Sequence, residues 1–219
     1  LKQALNLFFM FIFRWEGNME LVIIGAGGHG KVVAEIAKKN NYTIKGFIDD
    51  NPNIKNVGDY KVLGNWSCKE QYKGCSFFVA IGNNNIRKTK LEELIDSGYK
   101  VTALIDPSAI VSTSVKLGVG SVVMPNSVIN VDSCFGKGCI VNTASSIDHD
   151  CKIGDYVHIC PGVHIAGTVS IQSNTWVGIG TSIINNLNIG ENVMLGAGSV
   201  VVEDIPSNSK AYGVPAKVK

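Results

Sequence analysis

From Ile105 onward every sixth residue is apolar: Ile105, Val111, Leu117, Val123, Ile129, Phe135, Val141, Ile147, Ile153, Ile159, Ile165, Ile171, Val177, Ile183, Ile189, Leu195 and Val201. Chance does not supply seventeen consecutive hits in a chain that is 45% hydrophobic. Four residues after each hit the side chain is mostly small or β-branched, as in Ser121, Ser127, Ser133, Cys139, Ser145, Cys151, Val157, Thr175 and Thr181. One large apolar and one small residue per six fit a triangular prism with short strands as faces, each coil burying its neighbours. Gly118, Gly120, Asn126, Gly154, Gly190 and Asn192 are expected at the corners, because Gly and Asn tolerate positive φ. Three hexads make one coil, so residues eighteen apart stack about 4.8 Å apart.

Composition agrees with a β-rich chain of tight corners. There are 24 glycines in 219 residues and only 17% charged residues. A net charge of +2 gives no electrostatic case for nucleic acid, which needs clustered Lys and Arg. The six cysteines form no CxxC pair, so neither a zinc site nor a disulfide framework is expected; they read as reduced cysteines packed as small hydrophobes. No metal site is expected. Residues 1–18 do not match the rest of the chain. Leu5 to Phe13 is apolar but far short of the ~20 residues of a membrane helix, and no small-residue cleavage site comes after it. The reading is an extension lying upstream of a natural start at Met19, with no integral membrane segment; a membrane-touching anchor is the alternative.

Residues 19–104 read as a separate α/β domain, 105–205 as the prism and 206–219 as a tail. Leu21–Ile24 is a short apolar run, followed by Gly25-Ala26-Gly27-Gly28-His29-Gly30 and a helical stretch to Lys39. Strands are expected again at 44–48, 77–81 and 101–105, with a helix to about Asp96. Alternating strand and helix implies a parallel sheet. Gly25, Gly27 and Gly30 satisfy G-x-G-x-x-G, and Asp49 lies nineteen residues past Gly30. Glycines let backbone N–H groups approach a phosphate at a helix N-terminus, and the acid accepts from a ribose hydroxyl. The pattern says nucleotide phosphate more firmly than it says NAD.

On the prism, His149 takes the third place of its hexad, beside a corner, between Asp148 and Asp150. Eighteen residues on lies Gly167. A general base next to a bare backbone N–H is the pairing that acyl transfer needs. His158 and His164 are expected to point outward on the next two faces from His149, and His158 and Trp176 to expose an aromatic pair that a partner would cover. Pro161, Ile179 and Ala197, eighteen apart, form a small or apolar column.

Residues 19–219 resemble the NeuD/PglD-type sugar O- and N-acetyltransferases of the hexapeptide-repeat superfamily. The resemblance rests on Gly25–Gly30, Phe47-Ile48-Asp49-Asp50, Ala80-Ile81-Gly82-Asn83-Asn84, Asn142-Thr143-Ala144-Ser145, His149–Gly154 and Gly213-Val214-Pro215-Ala216-Lys217. It implies a Rossmann-like domain followed by a left-handed parallel β-helix, and a homotrimer with acetyl-CoA at subunit boundaries; the reduced cysteines point to the cytoplasm. It implies His149 as base with Asp150 as its partner, and acetyl-CoA contacts from His158, Gly167, Ile179 and Ala197. It also implies a sugar nucleotide held by Gly27, Gly28, His29, Asp49, Asp50, Gly82 and Asn142. The expected activity is acetyl transfer from acetyl-CoA to a nucleotide-linked amino sugar, with Gly167 steadying the oxyanion. The rivals are sialic acid O-acetylation, an NAD-dependent oxidoreductase, and a non-catalytic sugar-nucleotide-binding scaffold.

Overall fold

The computed structural model describes residues 19–219. The expected extension, 1–18, lies outside the described residues. The N-terminal sheet contains β1 (Met19–Ile24), β2 (Tyr42–Ile48), β3 (Asn56–Val57), β4 (Tyr60–Gly64), β5 (Ser76–Val79) and β6 (Lys100–Val101), in the order β3-β4-β2-β1-β5-β6. All neighbours run parallel except the β3–β4 hairpin. Helices α1 (Gly28–Lys39) and α2 (Asn84–Asp96) make the crossovers. β1 is apolar on both faces because both are covered. Leu21 and Ile23 join Val33 and Ile36 of α1, while Val22 and Ile24 join Leu91 and Leu94 of α2. The hairpin and a 3₁₀ helix over Trp66–Tyr72 were not expected. β3 has only two residues, and β4 (Tyr60–Gly64) has no fully buried residue, so neither carries the alternation that marks a strand.

Seventeen two-residue strands come next, from β7 (Leu104–Ile105) to β23 (Val200–Val201). They stack in parallel into the three faces of a left-handed β-helix. Each strand points its first residue out and its periodic apolar residue in. The first face presents Leu104, Val122, Ile140, His158, Trp176 and Met194. The second presents Ile110, Val128, Ser146, His164, Ser182 and Val200. The third presents Lys116, Cys134, Lys152, Ser170 and Asn188. Partners are eighteen residues apart until the last coil, where Met194 pairs with Lys210. There the six-residue period stops, and a hairpin of β24 (Lys210–Gly213) and β25 (Ala216–Val218) closes the end.

The corners explain the small residues. Every sixth residue takes positive φ, including Gly120, Asn126, Asp150, Tyr156, Thr168 and Asn192. Gly118, Gly154 and Gly190 do not, contrary to expectation; they serve close approach between coils. A Cβ on Gly118 would lie 2.3 Å from the Gly136 carbonyl. The buried hydroxyls stitch coils together. Ser121 Oγ donates to the Gly136 carbonyl (3.1 Å) and accepts from Cys139 N–H (2.8 Å); Thr175 does the same with Gly190 (2.7 Å) and Val193 (3.1 Å). Thus a small polar side chain at this position satisfies backbone groups that a larger apolar one would strand.

The N-terminal sheet and its helices lie on the first face. Leu104, Val122 and Ile140 point out of the prism into the same cluster as Val33 and Ala37 of α1. α2 packs along the neighbouring corner, where Leu91 meets Gly120 and Gly138.

Candidate active site

His149 stands on the corner between the second and third faces, 52% exposed. The left-handed turn at Asp150 (φ 59°) brings its carboxylate to 2.8 Å from His149 Nδ1. That bond makes Nδ1 the protonated nitrogen and leaves Nε2 as an acceptor. The bond to Asp150 raises the His149 pKa above its ordinary value, and the Asp148 charge adds to it. Asp148 is itself fixed by Asn130 Nδ2 (2.8 Å) and His149 N–H (2.9 Å). One coil on, a Cβ on Gly167 would sit 2.6 Å from His149 Nε2. Only glycine admits the ring there, and its N–H meets no acceptor among the described residues.

The second site is a cavity of about 420 Å³ at the carboxyl edge of the N-terminal sheet. It gathers the expected Gly27, Gly28, His29, Asp49, Asp50 and Gly82, and adds Trp66, Ile86 and Lys90. A Cβ on Gly27 or Gly28 would meet nothing within 4 Å, so the start of α1 is open. Asp49 already works within the chain: its carboxylate accepts from Ala26 N–H (2.7 Å) and Asn51 N–H (2.8 Å), which shapes the glycine turn. Asp50 accepts from Trp66 N–H (2.8 Å) and faces Lys90 Nζ at 3.3 Å.

The two sites are linked through the junction. His158 does point out of the prism, but into the N-terminal domain, and is only 5% exposed. Its Nδ1–H donates to the Gly82 carbonyl (3.3 Å), and Nε2 accepts from Asn142 Nδ2 (3.2 Å). Burial pushes its pKa down to about 3, helped by the nearby Arg87 charge. Trp176 packs on its ring at 4.2 Å. The expected free aromatic pair is therefore shielded largely by the chain itself. His164 is not on a separate face from the His149 corner: it pairs with Ser146 on the second face, Nδ1 to Oγ at 2.8 Å. The expected acetyl-CoA contacts split. Gly167 lies on the His149 corner, whereas Ile179 and Ala197, both exposed, follow first-face strands onto the corner between the first and second faces. Among the described residues, no three His, Cys, Asp or Glu side chains are placed to hold a metal ion, and no helix is long and apolar enough to cross a membrane.

Sequence reading missed Arg87, Trp66 and Lys90. Arg87 left a trace: Asn84, Arg87, Leu91 and Leu94 are the buried residues of α2 and share a helical stripe, so an arginine sits where a leucine would be expected. Its guanidinium is 1% exposed and uses all five N–H donors, on the carbonyls of Gly138 (2.7 Å), Ile81 (2.9 Å), Gly82 (2.8 Å) and Tyr156 (2.9 Å) and on Asn84 Oδ1 (2.8 Å).

Comparison with known proteins agrees with this geometry. Residues 20–94 match the family described as PglD N-terminal domain. The chain is 30% identical over 164 residues to GDP-perosamine N-acetyltransferase of Escherichia coli O157:H7, covering 71% of this chain and 74% of that protein. It is 36% identical over 109 residues to UDP-N-acetylbacillosamine N-acetyltransferase of Bacillus subtilis (strain 168), covering 48% and 50%. The crystal structure of PerB from Caulobacter crescentus, in complex with CoA and GDP-perosamine, superposes with TM-score 0.86 at 39% identity, covering 93% of this chain and 98% of that one. A β-helix corner carrying His149 over Gly167, a glycine-lined cavity at the sheet edge and these relatives together place the chain in the PglD-type family of hexapeptide-repeat sugar acetyltransferases.

Proposed function

We propose that this chain transfers the acetyl group of acetyl-CoA to the free amine of a nucleotide-linked amino sugar. The observation that carries the reading is the His149–Asp150 pair standing over Gly167. As the amine attacks the thioester carbonyl, His149 Nε2 takes its proton and Asp150 steadies the imidazolium. The Gly167 N–H donates to the developing oxyanion. The C–S bond then breaks, the amide remains on the sugar, and the proton passes to the CoA thiolate. The N-terminal cavity holds the acceptor: the open start of α1 suits its diphosphate, and the apolar walls of Ile48, Ile81 and Ile86 suit its base. The perosamine and bacillosamine relatives, both N-acetyltransferases by name, favour amine over hydroxyl.

The working unit in this reading is a cytoplasmic homotrimer. The first face of the prism is covered by the N-terminal domain, and the third carries Lys116 and Lys152. The second face presents Ile110, Val128, Ser146, His164, Ser182 and Val200, with no Lys, Arg, Asp or Glu among them. It is flanked by both half-sites, Gly167 with His149 on one corner and Ile179 with Ala197 on the other. Packing second faces around a threefold axis brings one copy's Gly167 corner against the next copy's Ile179 corner, a groove for a long donor. Light scattering should give three times the 23.4 kDa chain mass. Ser182→Glu should lower that mass and abolish acetyl-CoA binding; a monomeric wild type that binds acetyl-CoA overturns the arrangement. The activity is tested by thiol release from acetyl-CoA with UDP- and GDP-linked amino sugars, sialic acid and NAD as the panel. Release with an amino-sugar nucleotide is expected. Release with sialic acid alone, or NAD binding without any release, would overturn the reading.

A further inference from the structure

Arg87 is a buried cation without a counter-ion. Its five partners are four carbonyls and one carboxamide, all neutral. Among the described residues no carboxylate pairs with it: Asp49 is engaged by Ala26 and Asn51, and Asp50 by Trp66 and Lys90. A guanidinium so placed loses its hydration, and five dipoles restore only part of it. Burial pulls its pKa down to about 10, still far above neutrality, so the charge persists. Nothing nearby shares it. Burial, aided by the Arg87 charge itself, holds His29 down at about 4 and His158 at about 3, so both rings are neutral.

The position of the charge is informative. Arg87 Nη1 donates to the carbonyls of Ile81 and Gly82, the two residues that line one wall of the nucleotide cavity. The guanidinium therefore lies directly behind that wall. The same cavity contains His29, whose Nε2 is buried and has no hydrogen-bond partner. It also contains the start of α1, where the N-cap Gly27 has no side chain to cap it and the first turn carries no acidic residue. Three features lack an anionic complement at one place: a fixed cation, an orphaned ring nitrogen and an open helix start.

We propose that Arg87 is the fixed counter-charge for the acceptor's diphosphate, acting through the Ile81–Gly82 wall and not by direct contact. The proposal rests on reading this cavity as the acceptor site. Charge attraction across a thin, dry wall is far less screened than in water. The carbonyl cage holds the cation in place before the ligand arrives, so no side chain needs to be ordered on binding. The donor CoA, bound along the β-helix, lies outside this arrangement.

The test is calorimetry of GDP, UDP and CoA with the full chain. Binding of either nucleotide by the wild type tests the cavity reading; the variants test the counter-charge. Arg87→Lys, which keeps the charge, should bind nucleotide within about threefold of wild type, and Arg87→Met should weaken it about tenfold or more. CoA should be unchanged in both. Should Arg87→Met not fold, Asn84→Asp decides: Asn84 Oδ1 already touches Arg87 Nη2 at 2.8 Å, so the variant gives the guanidinium an internal counter-ion. It should weaken nucleotide about tenfold and leave CoA alone. Wild-type nucleotide affinity in Arg87→Met or Asn84→Asp overturns the proposal. So does an Arg87→Lys variant as weak as Arg87→Met, or an equal loss of CoA binding.

Discussion

His149 and His158 sit nine residues apart on the same solenoid and have opposite fates. His149 stands on a free corner with a carboxylate on one nitrogen, and its pKa is raised. His158 lies in a strand under the N-terminal domain, with a carbonyl and a carboxamide as partners, and its pKa falls to about 3. The first holds a proton more firmly than a free imidazole does; the second stays neutral and bridges the two domains. What differs is cover, and cover comes from a part of the chain more than fifty residues away. A β-helix supplies positions at regular intervals, and the attached domain decides which of them are covered and which stay open.

The contrast is sharpest in catalysis. His149→Ala should lower turnover by about 10² to 10⁴, the usual range for removing a general base. Acetyl-CoA affinity, measured by calorimetry, should hardly change. A folded His149→Ala variant with near wild-type turnover would show that the free corner is not where the proton goes.

Next in size is the effect at the N-terminal cavity proposed for the acceptor. Asp49→Ala removes the acceptor of the Ala26 and Asn51 N–H groups, and any further bond the carboxylate makes to the acceptor. Losing a charge-assisted bond of about 1.5 to 3 kcal/mol corresponds to a roughly ten- to hundredfold rise in the KM for the sugar nucleotide. The KM for acetyl-CoA should stay put. If it rises instead, the two substrates belong to the opposite domains from those assigned.

A smaller effect is expected from Asp150→Asn. As a base, His149 must be neutral, so kcat/KM rises with pH through its raised pKa. Taking away the carboxylate removes the main cause of the raise. The acidic limb should shift to lower pH, and the plateau should fall a few-fold to about tenfold as the imidazolium loses its partner. A pH profile unmoved by the substitution would mean that Asp150 does not set the His149 proton affinity.

Much of this was legible in the sequence because the repeat is rigid arithmetic. Eighteen-residue stacking placed Gly167 against His149 without coordinates, and the glycine turn at Gly25–Gly30 placed the open helix start. What could not be read was everything set by contact between the two domains. His158 was expected at an open face because the period fixes only the direction out of the prism, not what waits there. Gly118, Gly154 and Gly190 were assigned to corner torsions, since composition does not separate a need for positive φ from a need for space. Arg87 belongs to no motif; only the buried stripe it shares with Leu91 and Leu94 betrays it. Trp66 and Lys90 reach the cavity from segments with no motif.

The last comparison is thermodynamic. His158 carries a folded-state pKa of about 3 against an ordinary value of 6.5. Between those limits the unfolded chain binds a proton that the folded chain refuses. Stability is therefore fully present above about pH 6.5 and is lost as pH falls towards 3, at up to about 1.4 kcal/mol per pH unit for one such group. His29, held near 4 by burial, acts in the same direction over a narrower window. The exposed His149 works in the opposite sense, since a raised pKa favours the folded state on the acid side, but an open corner leaves it little weight. Thermal melts from pH 7 to 5 should show a falling Tm in wild type. His158→Gln, which keeps a donor and an acceptor but does not titrate, should start lower and fall less steeply; His149→Gln should leave the slope nearly as it was. If the slope follows His149 and not His158, the covered histidine is not the neutral tie that its burial and its two partners describe.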